Sequence, residues 1–174
     1  MPKLPMGDIG PCEVVWDYGG TPVNLSPFLG RVSLTGEDSV SKVFEETYGD
    51  AAVDGVFSGS VLALQIPMTR STLAQLETAL PGTDLNGGGT ILTLSNLCGG
   101  AMYENAKAIV IKPIVNRVAS TDHSKWSHIY KAHPMRAFEL GFDRSGQRTF
   151  VVKFMVFPSL ESGQEGKFGT LGVA

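Results

Sequence analysis

Three histidines, His123, His128 and His133, recur at five-residue intervals in a chain with few other groups able to do chemistry. Imidazoles serve as general acids, bases and metal ligands. Five-residue spacing brings them to no common face of a helix or strand, and no cysteine or carboxylate stands near them at ligand spacing. They read as loop or surface residues. Cys12 and Cys98 are too few and too isolated for a zinc site or a disulfide framework, and read as reduced thiols. Glu45 and Glu46 are adjacent, which in a strand sends the two carboxylates to opposite faces and not into one acid-base pair. Gly87-Gly88-Gly89 lacks the Lys-Ser/Thr of a phosphate-cradling loop, and no GxSxG elbow is present. The expectation is a protein that is not an enzyme and uses no metal or cofactor.

The densest pattern lies elsewhere. From Gly36 to Asp54 the chain carries Glu37, Asp38, Glu45, Glu46, Asp50 and Asp54 against the single base Lys42, with Val43, Phe44 and Tyr48 interleaved. One reading is a solvated hairpin whose apolar residues pack back on their own sheet. The other is a projecting loop that docks on another subunit, because exposed aromatics rimmed by polar groups mark interaction surfaces.

The elements that must position this segment are mainly β. With 174 residues and 43% apolar content, the chain is long enough for one domain with a real core. A formal charge of -3 and only 18% charged residues argue against a clamp on nucleic acid, which needs clustered cations. Residues 1–11, interrupted by prolines and glycines, read as an irregular arm with no apolar core of a signal peptide, and no apolar run reaches membrane-spanning length. Cys12–Asp17 reads as a strand. Alternation from Arg31 to Thr35, following Phe28, predicts a strand with Val32 and Leu34 on its buried face. Asp54–Pro67 reads as a long strand whose alternation changes near Gly59, the mark of a bulge or of two environments, with Pro67 as its stop. A helix of about ten residues follows, capped by Thr69 or Ser71, with Leu73, Leu76 and Leu80 inward, Gln75, Glu77 and Thr78 outward, and Pro81-Gly82 at its end. Ile91–Leu94 is a short apolar run, Met135–Phe142 a further strand, and residues 143–146 a turn. The runs 108–114 and 150–157 are apolar throughout, which predicts strands covered on both faces.

Three blocks in order resemble the tail tube (major tail) proteins of long-tailed bacteriophages: GPCEVVWD at the start, YGDAAVDG through the proline-terminated strand to a helix ending at Leu-Pro, and GQRTFVVKFMVFPS followed by GKFGTLGVA. The resemblance implies a mainly β fold, a β-sandwich or half-barrel with one short flanking α-helix, spanning 1–174 as a single domain. Within it, 36–56 is the projecting inter-ring loop and 158–174 the C-terminal tail. It implies a ring-forming subunit: six copies per ring and stacked rings enclosing a channel through which double-stranded DNA passes without specific binding.

Carried onto this chain, Val43, Phe44, Tyr48, Asp50, Val53, Asp54 and Val56 become the expected inter-ring contacts, and Ser58 and Ser60 the expected lumen-facing residues. The implied partners are further copies of the chain and the tape-measure and terminator proteins of such tails. The implied location is the virion, after assembly in the host cytoplasm. Other readings are a type VI secretion-type tube or a head-tail completion protein. From a different class comes a carbohydrate-binding β-sandwich module, with Trp16, Trp126 and Tyr130 as stacking platforms.

Overall fold

The computed structural model describes residues 11–25, 31–44, 46–69, 72–95, 99–115, 117–140 and 149–172. The expected arm up to residue 10, Phe28, Glu45, Ser71, Cys98 and the 143–146 turn lie outside the described residues. As the sequence indicates, the fold is mainly β with a short helix. Among the described residues, nine strands form one antiparallel sheet, and two more form a small ribbon.

The chain begins with β1 (Cys12–Trp16) and β2 (Val23–Asn24), then the long strands β3 (Ser33–Phe44) and β4 (Ala52–Thr69). Helix α1 (Leu73–Ala79) leads to the small ribbon of β5 (Thr83–Leu85) and β6 (Leu92–Leu94). Next come β7 (Lys107–Val115), β8 (Val118–Ala119), β9 (Ser127–Leu140), β10 (Thr149–Phe157) and β11 (Gly169–Leu171). Across the main sheet the order is β2-β1-β7-β9-β10-β4-β3, with β8 added to β7 and β11 to β9.

The apolar strands take the central places, as their composition requires. Ile109 and Val110 are consecutive and both fully buried, so β7 is covered on both faces there. In β10 the expectation of two covered faces is corrected: Phe150, Val152, Phe154 and Val156 are buried while Val151, Met155 and Phe157 are half-buried. Phe154 and Val152 join Val14, Leu64, Ile66 and Ile109 in one core, where each fully buried side chain contributes about 1.5–3 kcal/mol. Cys12 packs at the margin of this core, and burial pushes its thiol pKa up, which disfavours the reactive thiolate. Val32 packs against the core as expected, but Leu34 is exposed, since β3 is the last strand in the sheet order and no further strand covers it.

Pro67 does not end β4, which continues to Thr69. The β3 ladder stops at Ser33↔Gln65, so at Pro67 only β10 pairs with β4, and an edge tolerates a residue without an N–H. Thr69 is a buried strand residue and not the helix cap. The cap is Thr72, whose hydroxyl accepts from the Gln75 N–H at 3.2 Å while the Gln75 side chain accepts from the Thr72 N–H at 3.0 Å. This capping box stabilises a seven-residue helix too short to persist alone. Gln75 and Glu77 do more than face water: Gln75 Nε2 donates to the Asn24 carbonyl at 3.2 Å, and Glu77 accepts from the Leu85 N–H at 3.0 Å.

The end of the chain completes the β10 column. Beyond Phe157, residues 158–168 fold into a compact loop closed by Ser159 N–H to Lys167 O and Gly166 N–H to Ser159 O, both 2.9 Å. The chain then re-enters as β11, pairing Gly169↔Ile129, Thr170↔His128 and Leu171↔Ser127. Gly169 is required there, since a Cβ would run into the His128 carbonyl.

Candidate assembly interface

β3 and β4 pair from Ser33↔Gln65 to Phe44↔Ala52, whereas β10 accompanies β4 only as far as Val156↔Leu62. From Val61 to Ala52, β4 is paired with β3 alone, so a two-stranded ribbon leaves the body of the protein. At about 3.3 Å per residue it reaches roughly 30 Å. The segment 36–56, a hairpin on one reading and a projecting loop on the other, is therefore strand on both sides of a tight 3-10 turn at Glu46–Tyr48. The β4 half was read as strand from Asp54 on, but the β3 half beyond Thr35 gave no clue, because neither face of the ribbon is buried in its own subunit and no period-2 burial signal is imposed.

Six of the seven expected contact residues, Val43, Phe44, Asp50, Val53, Asp54 and Val56, are exposed on this ribbon, and Tyr48 closes its turn. Phe44, at the tip, is 58% exposed. Asp54 is engaged locally, its Oδ1 accepting from the Gly55 N–H at 2.7 Å. The structure adds Val40, Phe57 and Val61, which sequence reasoning missed. Phe57 is 75% exposed and stands directly across from Val40. Its signal in the sequence was a lone aromatic among small and polar residues, GVFSGS. Val40 and Phe57 share one face of the ribbon, while Val56, opposite Ser41, lies on the other. Apolar groups are thus presented on both faces.

Ser58 and Ser60 also stand on the ribbon, where the predicted change of alternation is a register shift between Ser39 and Val40. Gly59 has φ 156° at this bulge. Ser60 Oγ donates to Asp38 Oδ1 at 2.6 Å, and Ser58 Oγ hydrogen-bonds Ser41 Oγ at 2.7 Å. Asp38 and Ser41 are an odd number of residues apart on β3, so the bulge sends the two serines to opposite faces. Glu37, Asp38, Glu46, Asp50 and Asp54 against Lys42 make the ribbon strongly acidic.

Of the histidines expected as loop or surface residues, His123 is one, exposed in a 3-10 turn at His123–Lys125, whereas His128 and His133 lie half-buried in β9. His123 stacks on Trp126 with ring centroids 3.9 Å apart, His128 flanks the same indole at 6.1 Å, and Tyr18 meets both Trp126 and His128 edge-on. Lys112 Nζ lies 4.4 Å from the Trp126 ring centroid. Burial, followed by the nearby His123 and Lys112, lowers the His128 pKa. This cluster anchors the end of the chain, since the Gly172 N–H donates to the Trp126 carbonyl at 2.7 Å. Both tryptophans are buried, Trp16 against Phe154 and Trp126 in this cluster, and Tyr130 is half-buried, so the indoles expose no platform for a sugar ring. Among the described residues, no group of three or more His, Cys, Asp or Glu side chains is placed to hold a metal ion. No helix among them is long and apolar enough to cross a membrane.

No family model matches the chain, and no curated protein matches it in sequence. Among solved structures, a chain of the anti-feeding prophage (AFP) baseplate, 6-fold symmetrised, is similar at 11% sequence identity and a TM-score of 0.43. The match covers 84% of this chain and 87% of that one.

Proposed function

We propose that this protein is a structural subunit that self-associates through its β3–β4 ribbon, in the manner of the phage tail tube proteins its sequence resembles. The observation that carries the reading is the ribbon itself: a two-stranded projection with Val40 and Phe57 exposed on one face and Val56 on the other. A lone two-stranded ribbon is marginal in water at best, and apolar groups on both faces reward coverage by neighbours. In a tube, stacked copies would cover it. A contact between two different surfaces does not close on itself and generates a filament. Its carboxylates would repel phosphate, which suits a conduit that passes DNA without holding it.

Negative-stain microscopy of the concentrated protein tests the reading, with rings or hollow tubes as the expected result. A chain that stays monomeric under all conditions refutes it. Combined Phe44→Ala and Tyr48→Ala substitution should leave the monomer folded and stop polymerisation; tubes formed normally by that variant would remove the ribbon tip from the contact.

A further inference from the structure

A cavity of about 910 Å³ lies between the body of the sheet and the segments that follow α1 and precede β7. Its apolar lining includes Leu80, Met102 and Met135, and its polar lining includes Trp16, Lys107 and His133. Two of these polar side chains carry a buried nitrogen without a hydrogen-bond partner, Trp16 Nε1 and His133 Nδ1. An indole N–H can only donate, so Trp16, 9% exposed, leaves an unmet donor buried behind the cavity wall. Lys107 adds a cation beside it, its Nζ 5.3 Å from the Trp16 ring centroid and 2.7 Å from Asp17 Oδ2. Glu77 also lines the cavity, but its Oε1 already accepts from the Leu85 N–H.

The ladder registers place this cavity with respect to the ribbon. Trp16 is the last residue of β1 and Lys107 the first of β7, paired with Ala132. Ala132 also pairs with Val156, near the end of β10, and from that level the ribbon runs on past the first residue of β9. The cavity therefore lies beside the end of β1 and the start of β7, and the ribbon leaves in the opposite direction along the strands. Apolar walls stand at one end of the subunit, with Lys107 already paired to Asp17 and Glu77 beside it; the unburied Phe44 and the exposed valines stand at the other.

We propose that the cavity is the receptor for the ribbon tip of a second copy of this chain, with the Phe44 ring against Leu80, Met102 and Met135. This rests on the self-association reading above and specifies where the ribbon goes. A projection at one end and its socket at the other make the contact head-to-tail, so each added copy presents a fresh socket.

The test fills the socket and leaves the ribbon alone. Gly100 lines the cavity, and a Cβ built on it meets no atom within 4 Å, so Gly100→Phe adds a ring there. Sedimentation velocity over a concentration series should show parent chains associating, and both Gly100→Phe and the ribbon variant Phe44→Ser weakened at least about tenfold, or 1.4 kcal/mol. A mixture of the two variants should regain association that stops at pairs, since one intact ribbon meets one intact socket. Gly100→Phe associating like the parent overturns the socket and leaves ribbon-driven assembly standing. Phe44→Ser associating like the parent overturns the ribbon tip's part in the contact, and a parent that never associates overturns assembly itself. Should Gly100→Phe fail to fold by circular dichroism, a benzophenone photo-crosslinker at position 44 of the otherwise unaltered chain decides. Adducts on Met102 or Met135 of another copy support the socket, and adducts only elsewhere overturn it.

Discussion

Phe57→Ser separates assembly from folding. With 75% of its surface in solvent, Phe57 contributes little to the fold of the single chain. A phenylalanine buries about 150–250 Å² when fully covered, so about 150 Å² is available to a neighbour. At about 25 cal/mol per Å², full coverage is worth about 3–4 kcal/mol. That corresponds to a few hundredfold in an association constant at about 1.4 kcal/mol per decade. The single chain should lose no more than about 0.5 kcal/mol, as for other surface substitutions. A sedimentation-velocity concentration series run beside thermal melts reads both quantities on one preparation. Association within about threefold of the parent would refute the claim that a neighbour covers the ribbon face shared by Val40 and Phe57.

Three further outcomes probe the fold. Gly169→Ala drives a Cβ into the His128 carbonyl, so β11 must shift; a loss of about 1–3 kcal/mol in urea unfolding is expected, with earlier proteolysis at the C-terminus, while Gly87→Ala, in open space, should stay within about 0.5 kcal/mol. Thr72→Ala removes the hydroxyl half of the capping box and should cost about 1 kcal/mol in the same measurement. His128 is held below its ordinary 6.5 by burial, His123 and Lys112, so the unfolded chain takes up its proton first. The stability that the neutral ring contributes is therefore complete above pH 6.5 and is lost as pH falls through the lower folded value. Glu13, 4.0 Å from Lys112, is the nearby counter-charge. Melting temperature should fall between pH 7 and 5 more steeply for the parent than for His128→Phe; equal slopes would refute the assignment.

Local signals survived into the structure wherever one residue type answers one local demand. The short helix formed where its leucines fall at helical spacing, though with Thr72 and not Thr69 or Ser71 as its cap, the apolar runs became β7 and β10, and the altered alternation near Gly59 is a bulge. Reading failed where the demand came from far along the chain. The strand containing His128 and His133 was not visible at its start, because Ser127–Ile129 pairs with residues from both the middle and the end of the sequence. The Trp126 cluster likewise gathers Tyr18 and Lys112 across the sheet.

By itself the sequence determined a mainly β chain with one short helix, its punctuation, and an acidic segment with apolar residues interleaved, since composition and local periodicity are written residue by residue. Tertiary structure alone decided between the hairpin and loop readings of this segment, and it alone decided that the segment's apolar residues and Phe57 stay exposed and that Trp16, Lys107 and His133 line one cavity at the other end. Those facts depend on ladder register between strands far apart in the chain, and register is settled by which faces the whole sheet can bury.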